Sequence, residues 1–141
     1  MRAVFQSLML IGIMSVVSTT ACADNAKIDT IYYNKDWKGA PSREFATFYR
    51  VIREANDEYK NLFRDFFITG ELQTEGSFIS IDKKDDANSV FDGEMTSYYK
   101  NGLVSMHTFF VNGKEEGVRT EFEEDGSMCL QTEMHNGVSI Y

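Results

Sequence analysis

The chain is poor in the residues from which catalytic and metal centres are usually built. Of its 141 residues only two are histidine, His107 and His135, and two are cysteine, Cys22 and Cys129. Neither histidine stands at a metal-ligand spacing from the other or from Cys129, so a metal site of the familiar kind has no ligand set. There is no G-x-S-x-G and no phosphate-cradling glycine loop, and Gly113-Lys114 lacks the upstream spacing and the following Ser or Thr of a P-loop. No catalytic, cofactor-binding or metal residue is therefore assigned. Positive charge is also in deficit: 14 Lys and Arg face 22 Asp and Glu, for a net charge of −8. Such a surface repels phosphate backbones and anionic head groups, which argues against nucleic acid as a partner. The acidic run Glu121, Glu123, Glu124 and Asp125 reads as a solvated face beside a turn rather than as an acid-base pair or a calcium site.

A long hydrophobic run is also missing. Ala3 to Val17 is apolar almost throughout, but it is shorter than the ~20 residues that span a bilayer. It follows the basic start Met1-Arg2 and ends in Ser18-Thr19-Thr20-Ala21-Cys22-Ala23. That is the layout of a secretory signal peptide over residues 1–23, helical in its apolar part and removed on export. Two processing routes stay open. Ala21-Cys22-Ala23 satisfies the A-x-A rule, which would release a soluble chain beginning near Asp24. Thr20-Ala21-Cys22 is a loose lipobox, which would make Cys22 a lipidated first residue. The expected location is the periplasm or the exterior, with a membrane-anchored lipoprotein as the alternative. Cys129 then has no intramolecular disulfide partner unless Cys22 is kept unmodified, and it reads as a small strand residue.

About 118 residues remain, enough for one domain with a modest core. Eleven Phe and seven Tyr with a single proline, Pro41, favour strands over helices. The decisive pattern is internal repetition. Gly93 to Gly102 and Gly117 to Gly126 have the same spacing, and both end in a turn pair, Asn101-Gly102 and Asp125-Gly126. Eleven residues on, Asn112-Gly113 and Asn136-Gly137 follow, so the period is 24 residues. All four pairs are expected to reverse the chain in type I′ turns, which need positive φ at both central residues. Between them Val104, Met106, Thr108 and Phe110, and then Met128, Leu130, Thr132 and Met134, alternate with mostly polar residues. This predicts strands with one buried face. A degraded first copy aligns Gly70 with Gly102 and Gly126, and Phe66 with Tyr98 and Phe122. Its eight surplus residues fall in Asp82 to Ser89, expected to be a solvated loop.

The strings Tyr98-Tyr99-Lys100-Asn101-Gly102 and Phe109-Phe110-Val111-Asn112-Gly113-Lys114-Glu115-Glu116-Gly117 resemble the bacterial MORN-repeat variant, over about Phe63 to Tyr141. The third copy departs from that pattern, with Phe122-Glu123 for the aromatic pair and Met134 where an aromatic is usual. The resemblance implies an elongated antiparallel sheet of consecutive hairpins. It implies no shared catalytic residues, and some similar proteins are described as antitoxin-like.

Residues 24–62 are expected to be a β lead-in that caps the ladder at 63–141. Glu44 to Phe67 reads either as a helix after Pro41 or as strands around Phe48-Tyr49-Arg50-Val51-Ile52 and Leu62 to Phe67, and the resemblance, whose members carry a similar aromatic lead-in, implies the strand reading. Trp37, the one tryptophan, is expected to pack over the end of the core rather than to stack on a ligand. The function expected is a non-catalytic envelope module for protein-protein interaction. The alternatives are an antitoxin-like or inhibitor protein with an acidic binding surface and, behind it, an uncharacterised envelope enzyme. No cofactor is implied, any membrane contact would run through the lipid anchor, and the oligomeric state is not legible.

Overall fold

The computed structural model describes residues 26–55 and 60–140; the expected signal peptide with its helix, and Cys22, lie outside them. Ten strands form one antiparallel sheet: β1 (Lys27–Tyr33), β2 (Phe48–Glu54), β3 (Asn61–Phe67), β4 (Leu72–Ser80), β5 (Val90–Tyr98), β6 (Val104–Val111), β7 (Lys114–Glu115), β8 (Gly117–Phe122), β9 (Met128–His135) and β10 (Val138–Ile140). Their order across the sheet is their order in the chain, with the two-residue β7 pairing back on β6. The fold is the all-β ladder of hairpins that the repeats predict. β3 carries the lead-in into the repeats without a break in the sheet.

Phe48–Glu54 and Asn61–Phe67 form strands, and among the described residues the helical alternative is realised only as a single 3-10 turn at Arg43–Phe45. The register shows why. Phe48 faces Phe67 and Tyr49 faces Phe66 across the β2–β3 hairpin. The second pair stacks with ring centroids 4.9 Å apart, and cross-strand aromatic pairs of this kind stabilise a sheet where a lone helix would leave them exposed.

The turn glycines fall into two groups, which corrects the expectation of a single turn type. Asn112-Gly113 and Asn136-Gly137 have positive φ at both residues and are two-residue type I′ turns. At Asn101-Gly102 and Asp125-Gly126 only the glycine is left-handed. There the loop is one residue longer: Gly102 N donates to the Tyr99 carbonyl and Tyr99 N to the Leu103 carbonyl, and Glu123, Gly126 and Ser127 repeat that pattern. This is a type I turn closed by a glycine bulge. The Asn101 and Asp125 side chains brace it by accepting from the N–H two residues on. The degraded copy has the same geometry, with Phe67, Gly70 and Glu71 in these roles. A register shift follows at the same place in each copy, between Asp65 and Phe66, Ser97 and Tyr98, and Glu121 and Phe122.

One face of the N-terminal half carries the core: Ile31, Tyr33, Ile52, Phe63, Phe78 and Met95, with Trp37, Ile81, Phe91 and Phe110 packed against it. The connections 34–47 and 81–89 cover this face. Among the described residues no such cover reaches the last copy, where Leu130 on this face is 49% exposed although Met134 is buried; Met128, 59% exposed, pairs with Phe122 beyond the register shift and turns to the opposite face. Alternation gave the direction of Leu130 but not its burial, because burial needs a second layer. Thr108 is 1% exposed on the core face, and its hydroxyl has no hydrogen-bond partner among the described residues. An unsatisfied buried hydroxyl costs stability. Thr108→Val is expected to stabilise the fold by about 1 kcal/mol in urea denaturation.

Candidate functional site

An ionic cluster decides which face of the sheet is closed. Arg50 alternates with Phe48 and Ile52 along β2 and so points into the core. Opposite it on β3 is Asp65. The guanidinium holds that carboxylate in a fork, Nε to Oδ1 at 2.7 Å and Nη2 to Oδ2 at 2.8 Å. It holds Asp86, from the 81–89 connection, in a second fork at 2.5 and 3.1 Å. Tyr33, Trp37, Phe63 and Phe91 surround the cation, with ring centroids 4.6 to 5.6 Å from its carbon. Arg50 and Asp65 are each 1% exposed.

Asp86 brings the surplus segment down onto the sheet. Asp86 N donates to the Trp37 carbonyl, Gly39 N to the Lys84 carbonyl and Tyr33 Oη to the Asp82 carbonyl. Lys38 bridges to Asp85, and Lys83 reaches Asp29 at 2.5 Å. Residues 82–89 are a loop, as expected, with Lys83, Lys84, Ala87 and Asn88 exposed, but Asp86 makes it half of a cover rather than a fully solvated segment. Composition concealed this, because Lys83, Asp85 and Asp86 are spent on partners in β1, the 34–47 connection and β2. Trp37 forms the other half. It stacks on Phe48 at 4.5 Å and sits over the core as expected. Its φ of 57° is uncommon for so bulky a residue and is held by these contacts.

Two carboxylates meet one guanidinium here, so the cluster carries excess negative charge. Burial pushes the Asp65 carboxyl up to about 6, against the pull of Arg50, and Asp86 adds a further push. Burial likewise raises the Tyr33 hydroxyl to about 12. Arg50, although burial works to discharge it, is held above its ordinary value by its two carboxylates.

The other face has no cover among the described residues. Its register aligns a polar row across eight strands: Thr30, Val51, Arg64, Glu75, Thr96, His107, Thr120 and Gln131, each paired with the next. Val51 is the one apolar member. Beside it runs an aromatic and aliphatic row, in which Tyr32 pairs with Tyr49, Tyr49 with Phe66 and Phe66 with Leu72, then Tyr98 with Val104 and Phe122 with Met128. The repeats generate this row, since Phe66, Tyr98 and Phe122 are equivalent positions. On the far side of the polar row, Arg53 pairs with Ile28 and Leu62, and Phe109 with Glu94. Between these rows lies an open groove of about 860 Å³, whose lining includes Val51, Arg53, Lys60, Leu62, Arg64, Phe66, Glu75, Thr96 and Phe109. Thr96 also borders a shallower depression of about 500 Å³ formed by Leu103, Val104, His107, Phe122 and Gly126. Val104 thus lies with His107, not with the core-facing set that alternation predicted. The register shift at the strand start is the reason.

The remaining residues singled out from sequence are scattered. Asn101, Gly102, Asn112, Gly113, Asp125, Asn136 and Gly137 sit at hairpin tips; Gly126 does too and also borders the shallow depression. His135 Nδ1 lies 2.8 Å from Glu116, whose carboxylate also accepts Asn136 N, so this histidine braces a turn. Exposed Cys129 has its thiol pushed up by partial burial and by Glu123 and Glu121, which disfavours the reactive thiolate. Arg50, Asp65 and the groove residues were not singled out. A signal existed for the first two: a cation and an anion occupy inward positions of adjacent apolar strands. Comparison with family models, curated proteins and solved structures gives no match.

Two outcomes test the cluster. Arg50→Met leaves two buried carboxylates without their cation and is expected to cost about 3–5 kcal/mol in chemical denaturation. The folded Asp65 value lies above its ordinary 3.8, so its stabilising contribution is fully present below pH 3.8 and is lost as pH rises through about 6. Its carboxyl carbon, followed by NMR, should titrate near pH 6, and a midpoint below 4 would contradict this.

Proposed function

We propose that this chain is an exported, non-catalytic MORN-like module that holds a protein partner on the uncovered face of its sheet. One observation carries the reading: while the opposite face of the N-terminal half is closed by two connections, this face presents a continuous groove with exposed apolar side chains. Ile28 is 70%, Leu62 43% and Phe109 41% exposed, and apolar residues gathered in a concavity rather than scattered mark interaction sites. The polar row supplies hydrogen-bonding groups along the groove, and the hairpin backbone makes a rigid platform that gains little by closing on a ligand.

The MORN-like reading is supported by three hairpins with the same bulged turn and the same register shift, and by two intervening type I′ turns. Export is supported by the leader sequence, with the module either released or held to a membrane at a lipidated Cys22. A catalytic role draws no support from the groove. His107 is exposed among Thr96 and Thr120, and Glu75 is engaged by Arg64 and Tyr98.

The test is affinity capture from envelope fractions with the full chain, the Leu62→Ser/Phe109→Ser double variant, and Leu130→Ser on the other face. A partner retained by the wild type and by Leu130→Ser but reduced about tenfold or more with the groove variant is the expected result, since central apolar anchors dominate interfaces. Equal recovery by all three would overturn the proposal. Cys22→Ala in parallel should release the protein from membranes if Cys22 is the anchor.

A further inference from the structure

The sheet has two outer edges, and the one at β1 is blunted. There the Tyr32 carbonyl accepts from Ala40 N at 2.8 Å, and Thr30 N donates to the carboxylate of its neighbour Asp29 at 2.8 Å. Spent groups of this kind keep an edge strand from pairing with another chain. The β9 edge is built differently. His135 and Val138 flank a two-residue turn and form its hydrogen-bonded pair, so every second residue back from His135 turns its N–H and C=O outward. Ile140 stands across from Glu133, but no strand among the described residues stands across the outer side of Gln131. The repeat shows what that position accepts, since Thr120 of β8 stands across from the equivalent His107. Residues 128–132 carry neither charge nor proline, and Met128 and Leu130 are exposed within them. The adjoining turn is acidic, with Glu123, Glu124 and Asp125 exposed. Asp125 accepts from Ser127 and Glu123 lies at the Cys129 thiol, while Arg119, the cation of β8, is spent on Glu115 and Glu121.

We infer that the outer edge of β9 takes an extended segment of a partner protein as an added antiparallel strand, uncharged along residues 128–132 and basic at its C-terminal end. This surface is separate from the groove and does not rest on it. Every pair in the sheet is antiparallel, and that direction brings the C-terminal end of an added strand to the start of β9, where the acidic turn lies. Main-chain bonds to an open edge give affinity with little regard to sequence. Charge then supplies the preference. The net charge of −8 acts in the same sense as the turn and draws basic segments towards the molecule. A second copy of the chain fits the edge less well, because pairing β9 with β9 would set each acidic turn against Glu133 of the other copy.

The experiment uses the full chain and three capped probes, each alternating threonine with valine. Two lysines end the first probe at its C-terminus, two lysines begin the second, and two glutamates end the third. In a calorimetric titration the first is expected to bind about tenfold more tightly than the third and severalfold more tightly than the second, as charge complementarity sets preference. It should also slow hydrogen exchange at the Gln131 amide severalfold. Gln131→Pro removes that amide at a place where an edge strand tolerates proline, and should abolish binding. Gln131→Ala keeps the amide and should bind as the wild type does. The first probe methylated on its backbone nitrogens keeps its side chains and should not bind. Binding by that methylated probe, equal or tighter binding by the glutamate probe, or binding by none of the three would overturn the inference. A dimer of the free chain that Gln131→Pro dissolves would assign the edge to a second copy and overturn the choice of occupant. Leu62→Ser/Phe109→Ser should leave probe binding unchanged; loss there would place the probe in the groove and overturn the edge site alone.

Discussion

The fork-to-fork contact of Arg50 with Asp65 and Asp86 is the constraint on which the rest depends. A ten-stranded antiparallel sheet has two faces, and among the described residues only the 34–47 and 81–89 connections lie over one of them. Arg50 decides which one by placing a charge inside the sheet's apolar face, where it demands partners. Asp65 supplies one from the next strand, and Asp86 supplies the other from a connection that would otherwise trail into solvent. The cover of Trp37, Gly39 and residues 82–89 is therefore assembled around the cation rather than merely resting on a hydrophobic surface. Breaking a buried ion cluster costs far more than forming it gains. The cluster consequently acts to specify one closed arrangement of the cover.

With one face closed at the N-terminal end, the opposite face is the one left open among the described residues. The repeats shape it. Each copy contributes an aromatic to one row and a hydrogen-bonding residue to the next, and the bulged turns keep these rows in register across strands of unequal length. The lead-in does more than continue the sheet, because it supplies Ile28, Val51, Arg53, Lys60 and Leu62 of the groove. The uncovered apolar residues of the last copy, Met128 and Leu130, lie outside that groove.

Much of this architecture could be read in the sequence. The Asn-Gly and Asp-Gly spacings located the hairpins, and the alternation between them gave strands. At Glu44 to Phe67 the residues alone left a helix and strands both open, and Phe48–Glu54 and Asn61–Phe67 are strands. What could not be read depends on register between distant segments. Arg50 and Asp65 are 15 residues apart and Arg50 and Asp86 are 36, so their meeting follows only once β2, β3 and the 81–89 connection are placed. The same holds for the groove, whose rows draw one residue from each of several strands. Burial in the last copy failed for a related reason: periodicity reports which side a residue faces, not whether anything covers it. The turn types were misassigned at Asn101 and Asp125 because a type I turn with a glycine bulge uses the same dipeptide as a type I′ turn.

Trp37 offers the most direct test of the central claim, since the chain's single tryptophan lies in the cover and within 5.6 Å of the Arg50 guanidinium carbon. Acrylamide quenching of its fluorescence should be weak in the wild type. In Asp86→Ala, which releases the cover while leaving the Arg50–Asp65 pair in the sheet, quenching should rise severalfold with the far-ultraviolet β signal preserved. Identical quenching in the two proteins would show that the cover stays down without the cluster, and would contradict the account.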